Sequence, residues 1–400
     1  MGAPDILSSG FAADPYSGYR VLRDQYPVLF HEATNSWLIS KMEDVERVFR
    51  DPDITSDNYS WQLEPVHGRT ILQMEGREHS TTRNLITPAF RGSQLRDKFE
   101  PVIDKNAREL IDPWRLEGEV ELVGQFTTHF PINVIVDMLG LQKSDHALFH
   151  RWYHSIMAFL SNLTQDPQVM EQGLRTKDEL QAYMLPIIAE RRANPGDDLL
   201  SVLCTAEIDG ATLSDLDVKA FVSLLLVAGG ETTDKALASL MRNLVEHPDQ
   251  LEEVRADRSL IGPAFAETLR YSPPVHMIMR QPRVDFELRG TVIPAGSTIT
   301  CLLAAANRDE ECFDHADAFD IHRKDLDVNR AFAAAADHMA FAKGRHFCVG
   351  AMLAKTEVES ATNQLLDAMR DITLAPGAEV EEVGLFTRSP GALPLRFTPA

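Results

Sequence analysis

Disulfide chemistry is the first thing the chain lacks. Four cysteines (Cys204, Cys301, Cys312, Cys348) are scattered through 400 residues with no CxxC pair, which argues against a disulfide framework and a multi-thiolate zinc site and fits a reducing compartment. Basic residues are also short, 39 against 60 acidic ones for a formal charge of -21. Because the acidic residues are scattered rather than gathered in a tail, nucleic acid and anionic membrane are not expected partners. No apolar run approaches the ~20 residues that cross a bilayer; the longest, AFVSLLLVAGG, ends in glycines. The opening MGAPDILSSGFAADPYSGYR has no basic stretch leading into an apolar one, so no secretory signal is expected. A cytoplasmic protein without membrane insertion is the expectation. Repeats and low-complexity linkers are missing too.

What remains is an ordinary globular composition, 44% hydrophobic and 25% charged, enough for a large core. From about Asp97 to Leu269 apolar residues recur three and four apart, the mark of amphipathic helices. LSDLDVKAFVSLLLVAGGETTDKALASLMRNLVEHP opens with a cap at Ser214 and ends at Pro248; being apolar nearly all round, it predicts a long helix through the core. Strand-like alternation is confined to NSWLISK near Asn35 and RVDFELRGTVIPAGSTITCLL from Arg283, with LFTRSPGALPLRF predicted as a closing hairpin. The expected architecture is mainly α with a smaller β region, one α+β domain over residues 1–400.

Most lone cysteines are small buried hydrophobes. Cys348, in FAKGRHFCVGAMLAKTE, has neighbours that point elsewhere: Gly344 and Gly350 flank it, and a helix starts directly after it. Free N–H groups at a helix start stabilise a thiolate. Without zinc-like spacing, an iron ligand fits better. Inside the long helix, Ala228-Gly-Gly-Glu231-Thr232-Thr is odd as structure. Two interior glycines cost roughly 1 kcal/mol each against alanine, and a carboxylate in a core helix costs more. A close helix crossing explains the glycines but not Glu231 with Thr232, so a loosened helix that admits a ligand is expected there.

The spaced set Phe341, Gly344, His346, Cys348, Gly350, Leu353, Ala354 and Glu357 resembles the heme-ligand loop of the cytochrome P-450 family, with Ala342 standing where the family usually has glycine and a small shift of the loop expected from it. The resemblance implies heme b, with Cys348 as axial thiolate of the iron and His346 on a heme propionate. Glu231 and Thr232 match the acid–alcohol pair that manages protons in the oxygen-binding groove. Glu267 and Arg270 in AETLRY, with Arg323 in AFDIHR, match the structural ion-pair network. His79 and Arg83 in HSTTR, and Arg280 after PPVHMIM, match further propionate partners. ANRDEECF, from Ala305, is similar to another family landmark.

By the same analogy the substrate pocket draws on Trp61, Leu63, Met74, Phe159, Ala228, Val275, Ile278 and Phe386, and on the segment from Leu148 to Leu163; an apolar lining suits a lipophilic small molecule. The implied activity is that of a heme-thiolate monooxygenase using O2 and hydroxylating its substrate by default. No dinucleotide or flavin fingerprint is present, so electrons are expected from a ferredoxin and an NAD(P)H-dependent ferredoxin reductase, docking near Lys343, Arg345 and Lys355. A peroxygenase fed by hydrogen peroxide and a non-catalytic heme sensor are the alternatives; the acid–alcohol pair weighs against the first.

Overall fold

In the computed structural model, residues 2–162, 166–208 and 210–400 are described, apart from the side chain of Gln94; Leu163, at the end of an expected pocket segment, lies outside them. The helix predicted from Ser214 is the longest element, Asp215–Glu246. The Ser214 hydroxyl accepts from the Asp217 N–H while the Asp217 carboxylate accepts from the Ser214 N–H, a reciprocal cap at the helix start. Pro248 opens the next helix, Pro248–Ala256, where its missing N–H costs nothing.

This central helix does not loosen at its glycines, contrary to expectation; it is continuous from end to end. A Cβ on Gly229 would lie 3.0 Å from Ile135, and one on Gly230 3.1 Å from Ile132. Both isoleucines belong to the crossing helix Phe130–Met138. Close packing of two helices accounts for the glycines.

The predicted helical stretch after Asp97 becomes a π turn and then Glu100–Ile111; that after Val136 becomes the end of Phe130–Met138 and His146–Leu160. Two further helices frame the central one. Ile261–Tyr271 carries the ExxR pair, and Ala351–Ala368 follows Cys348. The strands gather at one side. A five-stranded sheet runs in the order Val28–His31, Ser36–Ile39, Thr298–Leu302, Met277–Pro282, Ile54–Thr55, with the second and third parallel and the other pairs antiparallel. The Pro-Ala-Gly turn before Thr298 is present, with Gly296 at φ +76.

The closing hairpin is not one. Ser389–Pro390 pairs with Glu382–Val383, whereas Pro394–Pro399 lies between Met369–Leu374 and Glu119–Glu121 in a separate sheet. Alternation along a strand shows which face is buried but not which strand is the partner. The main apolar core runs from Ile71 to Phe397 and surrounds the central helix.

Candidate active site

The loop ahead of Ala351–Ala368 is closed by the Cys348 N–H donating to the Phe341 carbonyl at 3.0 Å. Gly344 is required there: its φ is +69, and a Cβ would come within 2.4 Å of the Phe49 carbonyl oxygen. Ala342 keeps a left-handed backbone, φ +55, despite its methyl group, a conformation costing an L-residue roughly 1–2 kcal/mol. Gly350 has ordinary φ; a Cβ there would face only the Cys348 sulfur, at 4.0 Å. Burial pushes the Cys348 thiol pKa up, against the N–H groups of Gly350 and Ala351 and the charge of Arg83. A metal cation replaces that proton readily, since the N–H groups already favour the thiolate.

Cys348 lines a cavity of about 260 Å³ between its loop and the central helix. Ala228, Gly229, Thr232 and Thr233 form the opposite wall; Ala228 is exposed in the middle of a core helix because it faces this space. Most of the remaining lining is apolar, including Phe90, Leu224, Leu225, Phe265, Val275 and Ile278.

Four basic side chains meet at its edge: His79, Arg83, Arg280 and His346. Burial holds Arg83 below its ordinary pKa, and it forms no ion pair among the described residues. Arg280 donates to the Met279 carbonyl at 2.8 Å and the Tyr59 hydroxyl at 3.4 Å and likewise has no carboxylate. The buried His79 Nε2 has no partner; burial, then His346 and Arg83, lower this imidazole to about 4. Only His346 has an anion, Glu75 Oε1 at 3.2 Å. A buried guanidinium, Arg280, and a half-buried one, Arg83, neither with a counterion among the described residues, imply an anionic occupant. A thiol at one wall and unpaired cations at the edge fit a flat, dianionic iron macrocycle, heme b, held by Cys348 through iron and by Arg83, Arg280, His79 and His346 through its carboxylates.

The acid–alcohol pair divides. Thr232 lines the cavity, its hydroxyl donating to the Ala228 carbonyl at 2.7 Å. Glu231 points away from it toward the helix His146–Leu160. Its Oε1 accepts from Thr387 at 2.9 Å and pairs with Lys235 at 3.2 Å, and its Oε2 accepts from the Tyr153 hydroxyl. Glu267, Arg270 and Arg323 meet in one place. Glu267 accepts from Arg270 and, at 3.2 Å, from Arg323, all three side chains being buried.

Of the expected substrate residues, Ala228, Val275 and Ile278 reach the cavity. The other five do not. Trp61 is 61% exposed; Leu63 caps the short helix Glu64–His67; Met74 is buried outside the lining. Phe159 packs where a Cβ on Gly173 would sit, and Phe386 packs with the Tyr19–Leu22 cluster while its carbonyl accepts from the His276 N–H. Tyr59, Ile71, Leu72 and Glu357 line the cavity instead. The i, i+4 spacing of Leu224, Ala228 and Thr232 was a legible signal for that wall; Tyr59, Ile71 and Leu72 gave none. The basic loop residues are also committed elsewhere. Lys343 is buried and donates to the Ala336 carbonyl, Arg345 pairs with Glu75, and Lys355 with Glu359. Arg77 and Arg91 are exposed and lack ion pairs among the described residues.

The cytochrome P-450 family model matches residues 14–370. Pulcherriminic acid synthase of Bacillus subtilis (strain 168) is 41% identical over 394 residues, 98% of this chain and 97% of that one. The monooxygenase PikC of Streptomyces venezuelae is 33% identical over 417 residues, 99% of this chain and 95% of the relative. The solved structure of a cytochrome P-450 from Chondromyces apiculatus is 33% identical with a TM-score of 0.88, covering 99% of this chain and 98% of that one. No helix among the described residues is long and apolar enough to cross a membrane. With a cavity whose thiol and unpaired cations suit heme, and a family model matched over most of its length, the chain belongs to the cytochrome P-450 family of heme-thiolate monooxygenases.

Proposed function

We propose that this monooxygenase hydroxylates a lipophilic small molecule of secondary metabolism, as one 400-residue cytoplasmic unit, with electrons from a ferredoxin and its NAD(P)H-dependent reductase. The observation that carries the substrate class is the largely apolar lining facing Cys348, from Phe90 to Ile278. The continuous core from Ile71 to Phe397 supports one unit. The name of the relative from Bacillus subtilis makes the precursor of pulcherriminic acid the first compound to try.

Bound heme supplies the activation of O2 that a polypeptide lacks. Arg83, Arg280, His79 and His346 orient it through its carboxylates. The apolar lining excludes water from the reacting face and holds the substrate by burial rather than by charge. Thr232 is the hydroxyl placed to hold a proton at that face, and Glu231 the neighbouring carboxylate that replaces it. For this exchange Glu231 gives up its bond from Tyr153, because its carboxylate now faces the other way. The hydroxyl favours O2 over externally added hydrogen peroxide as oxidant, since reduction of O2 draws two protons through the protein, which hydrogen peroxide already carries.

Purified ferric protein titrated with the pulcherriminic acid precursor, and in parallel with terpenoids, fatty acids, macrolide precursors and simple aromatics, tests the substrate class. A shift of the Soret band toward high spin marks a compound that enters the cavity, and NAD(P)H-dependent product with a surrogate ferredoxin marks a substrate. Binding confined to small charged compounds overturns the lipophilic reading.

A further inference from the structure

Lys219 lies in the first half of the central helix, 2% exposed, and takes part in no ion pair among the described residues. Its ammonium donates to the main-chain carbonyl of His67, at 3.1 Å. The imidazole of the same His67 meets Ser223, one turn further along the helix, at 2.8 Å between Nδ1 and Oγ, and its Nε2 has no partner. His67 ends the short helix Glu64–His67, and Gly68 turns the chain with φ +86, a Cβ there lying 3.6 Å from Ala220. One residue is thus fastened to the central helix twice, through main chain and side chain.

The fastened residue sits in the segment 59–72, whose Tyr59, Ile71 and Leu72 form one wall of the cavity. Among the described residues, this wall is held to the central helix by a buried ammonium that has no carboxylate partner. Burying such a charge is costly, and a purely structural tie would be served better by a neutral donor.

We propose that Lys219, through His67, is the positioning residue that latches segment 59–72 over the cavity, and that the segment releases this latch to admit small molecules. Closing strips water from the ammonium; opening restores it. The groups facing Lys219 from the elements packed on it are His67, and Lys177 and Asp178 of the helix Pro167–Ala193. In the closed state burial, then Lys177, lower Lys219 to about 8 from its ordinary 10.5, with Asp178 opposing. Opening therefore takes up a proton between those two values, and rising pH across that interval favours the closed state. Burial and Lys219 hold His67 near 3, so its own titration falls well below this interval.

The test is the association rate of 4-phenylimidazole with the heme-loaded protein, followed by stopped-flow absorbance at about pH 7.5 and about pH 9.5, where the azole is neutral. In the wild type the rate should fall on the order of tenfold across this range. Lys219→Met keeps the packed stem and removes the charge, so its rate should change less than about twofold. Ser223→Ala breaks the other fastening and leaves the charge, so it should speed entry at both pH values and retain the wild-type slope. A slope shared by wild type and Lys219→Met, a flat wild type, or an unaltered rate in Ser223→Ala overturns the proposal.

Discussion

Glu267 and Arg270, three residues apart on the helix Ile261–Tyr271, meet through two hydrogen bonds of 2.7 Å, with neither side chain reaching solvent. The Arg270 guanidinium continues to the carbonyls of Asn307, Ala316 and Ala318. Glu267 Oε1 also accepts from Arg323 and from the Asp320 N–H. One buried pair thus fastens the loops that lead to the cysteine. Removing a single member leaves uncompensated charge in the interior, typically about 3–5 kcal/mol. Glu267→Gln should lose that much stability in urea unfolding and purify with little heme. A midpoint equal to the wild type would show that the network is dispensable.

Among the described residues, Cys348 is the only cysteine lining the cavity. Cys301 is buried in the strand Thr298–Leu302 and Cys312 is exposed elsewhere. Cys348→Ser should abolish the red-shifted Soret band of the reduced carbon monoxide complex, while Cys301→Ser and Cys312→Ser retain it. The opposite pattern would move the iron ligand to another residue.

Thr232 presents a hydroxyl to the cavity, whereas that of Thr233, also in the lining, is bonded to Glu357. General acid–base groups typically contribute on the order of 100- to 10,000-fold, part of which a substitute water recovers. Thr232→Ala should keep heme and the substrate-induced spin shift, with product per NAD(P)H falling and hydrogen peroxide rising. An unchanged ratio would reduce Thr232 to a packing residue.

Glu357, on the helix after Cys348, is buried against the cavity with the Thr233 hydroxyl at 3.3 Å from Oε2 and no partner on Oε1. Burial pushes it up to about 8 from 4.5, the Thr233 bond opposing. The folded chain therefore binds this proton more tightly than the unfolded chain, and stability falls as pH rises from 4.5 toward 8. Glu357→Gln, neutral throughout, should melt higher than the wild type at about pH 8.5, by ~2 °C or more, and differ little at about pH 4.5. Equal melting temperatures at the higher pH would mean that the carboxylate is solvated or paired.

Arg91 is exposed, free of ion pairs among the described residues, and close enough to Arg83, itself beside Cys348, to lower the pKa of that group. If the proposed ferredoxin docks on this face, Arg91 offers it a free charge, whereas Arg345 is paired with Glu75. Arg91→Glu should slow ferredoxin-dependent reduction at low ionic strength and bring it close to the wild-type rate in high salt, where exposed charges are screened. The same slowing at both salt concentrations would indicate damage to Arg83 and the site rather than lost steering.

Several of these groups were legible one residue at a time. The cysteine loop works over ten residues of chain, so Gly344, Cys348 and Gly350 stood out in the sequence, while the part of His346 came from the family resemblance. For Glu267 with Arg270 and for His79 with Arg83 one helical turn fixed only that the side chains are neighbours; their roles came from the resemblance. The Ser214 cap and the Pro248 stop were equally local.

The pocket was not local. Trp61 and Leu63 lie in the segment that supplies Tyr59, Ile71 and Leu72, yet they turn away from the cavity; sequence named the segment and missed its facing. The glycines of the central helix were read as a ligand notch because Ile132 and Ile135, nearly a hundred residues away, do not announce themselves in that stretch. Glu231 faces Tyr153 and Thr387, whose distance in sequence hides their contact. By itself, then, the sequence determined the cysteine loop, the Glu267–Arg270 pair and the helical class, all carried by contacts within a turn or a short loop. Only the tertiary structure decided which apolar side chains face the cavity, which cations remain unpaired, and where the acid points. Each of those depends on packing between segments whose spacing along the chain places no restriction on their approach.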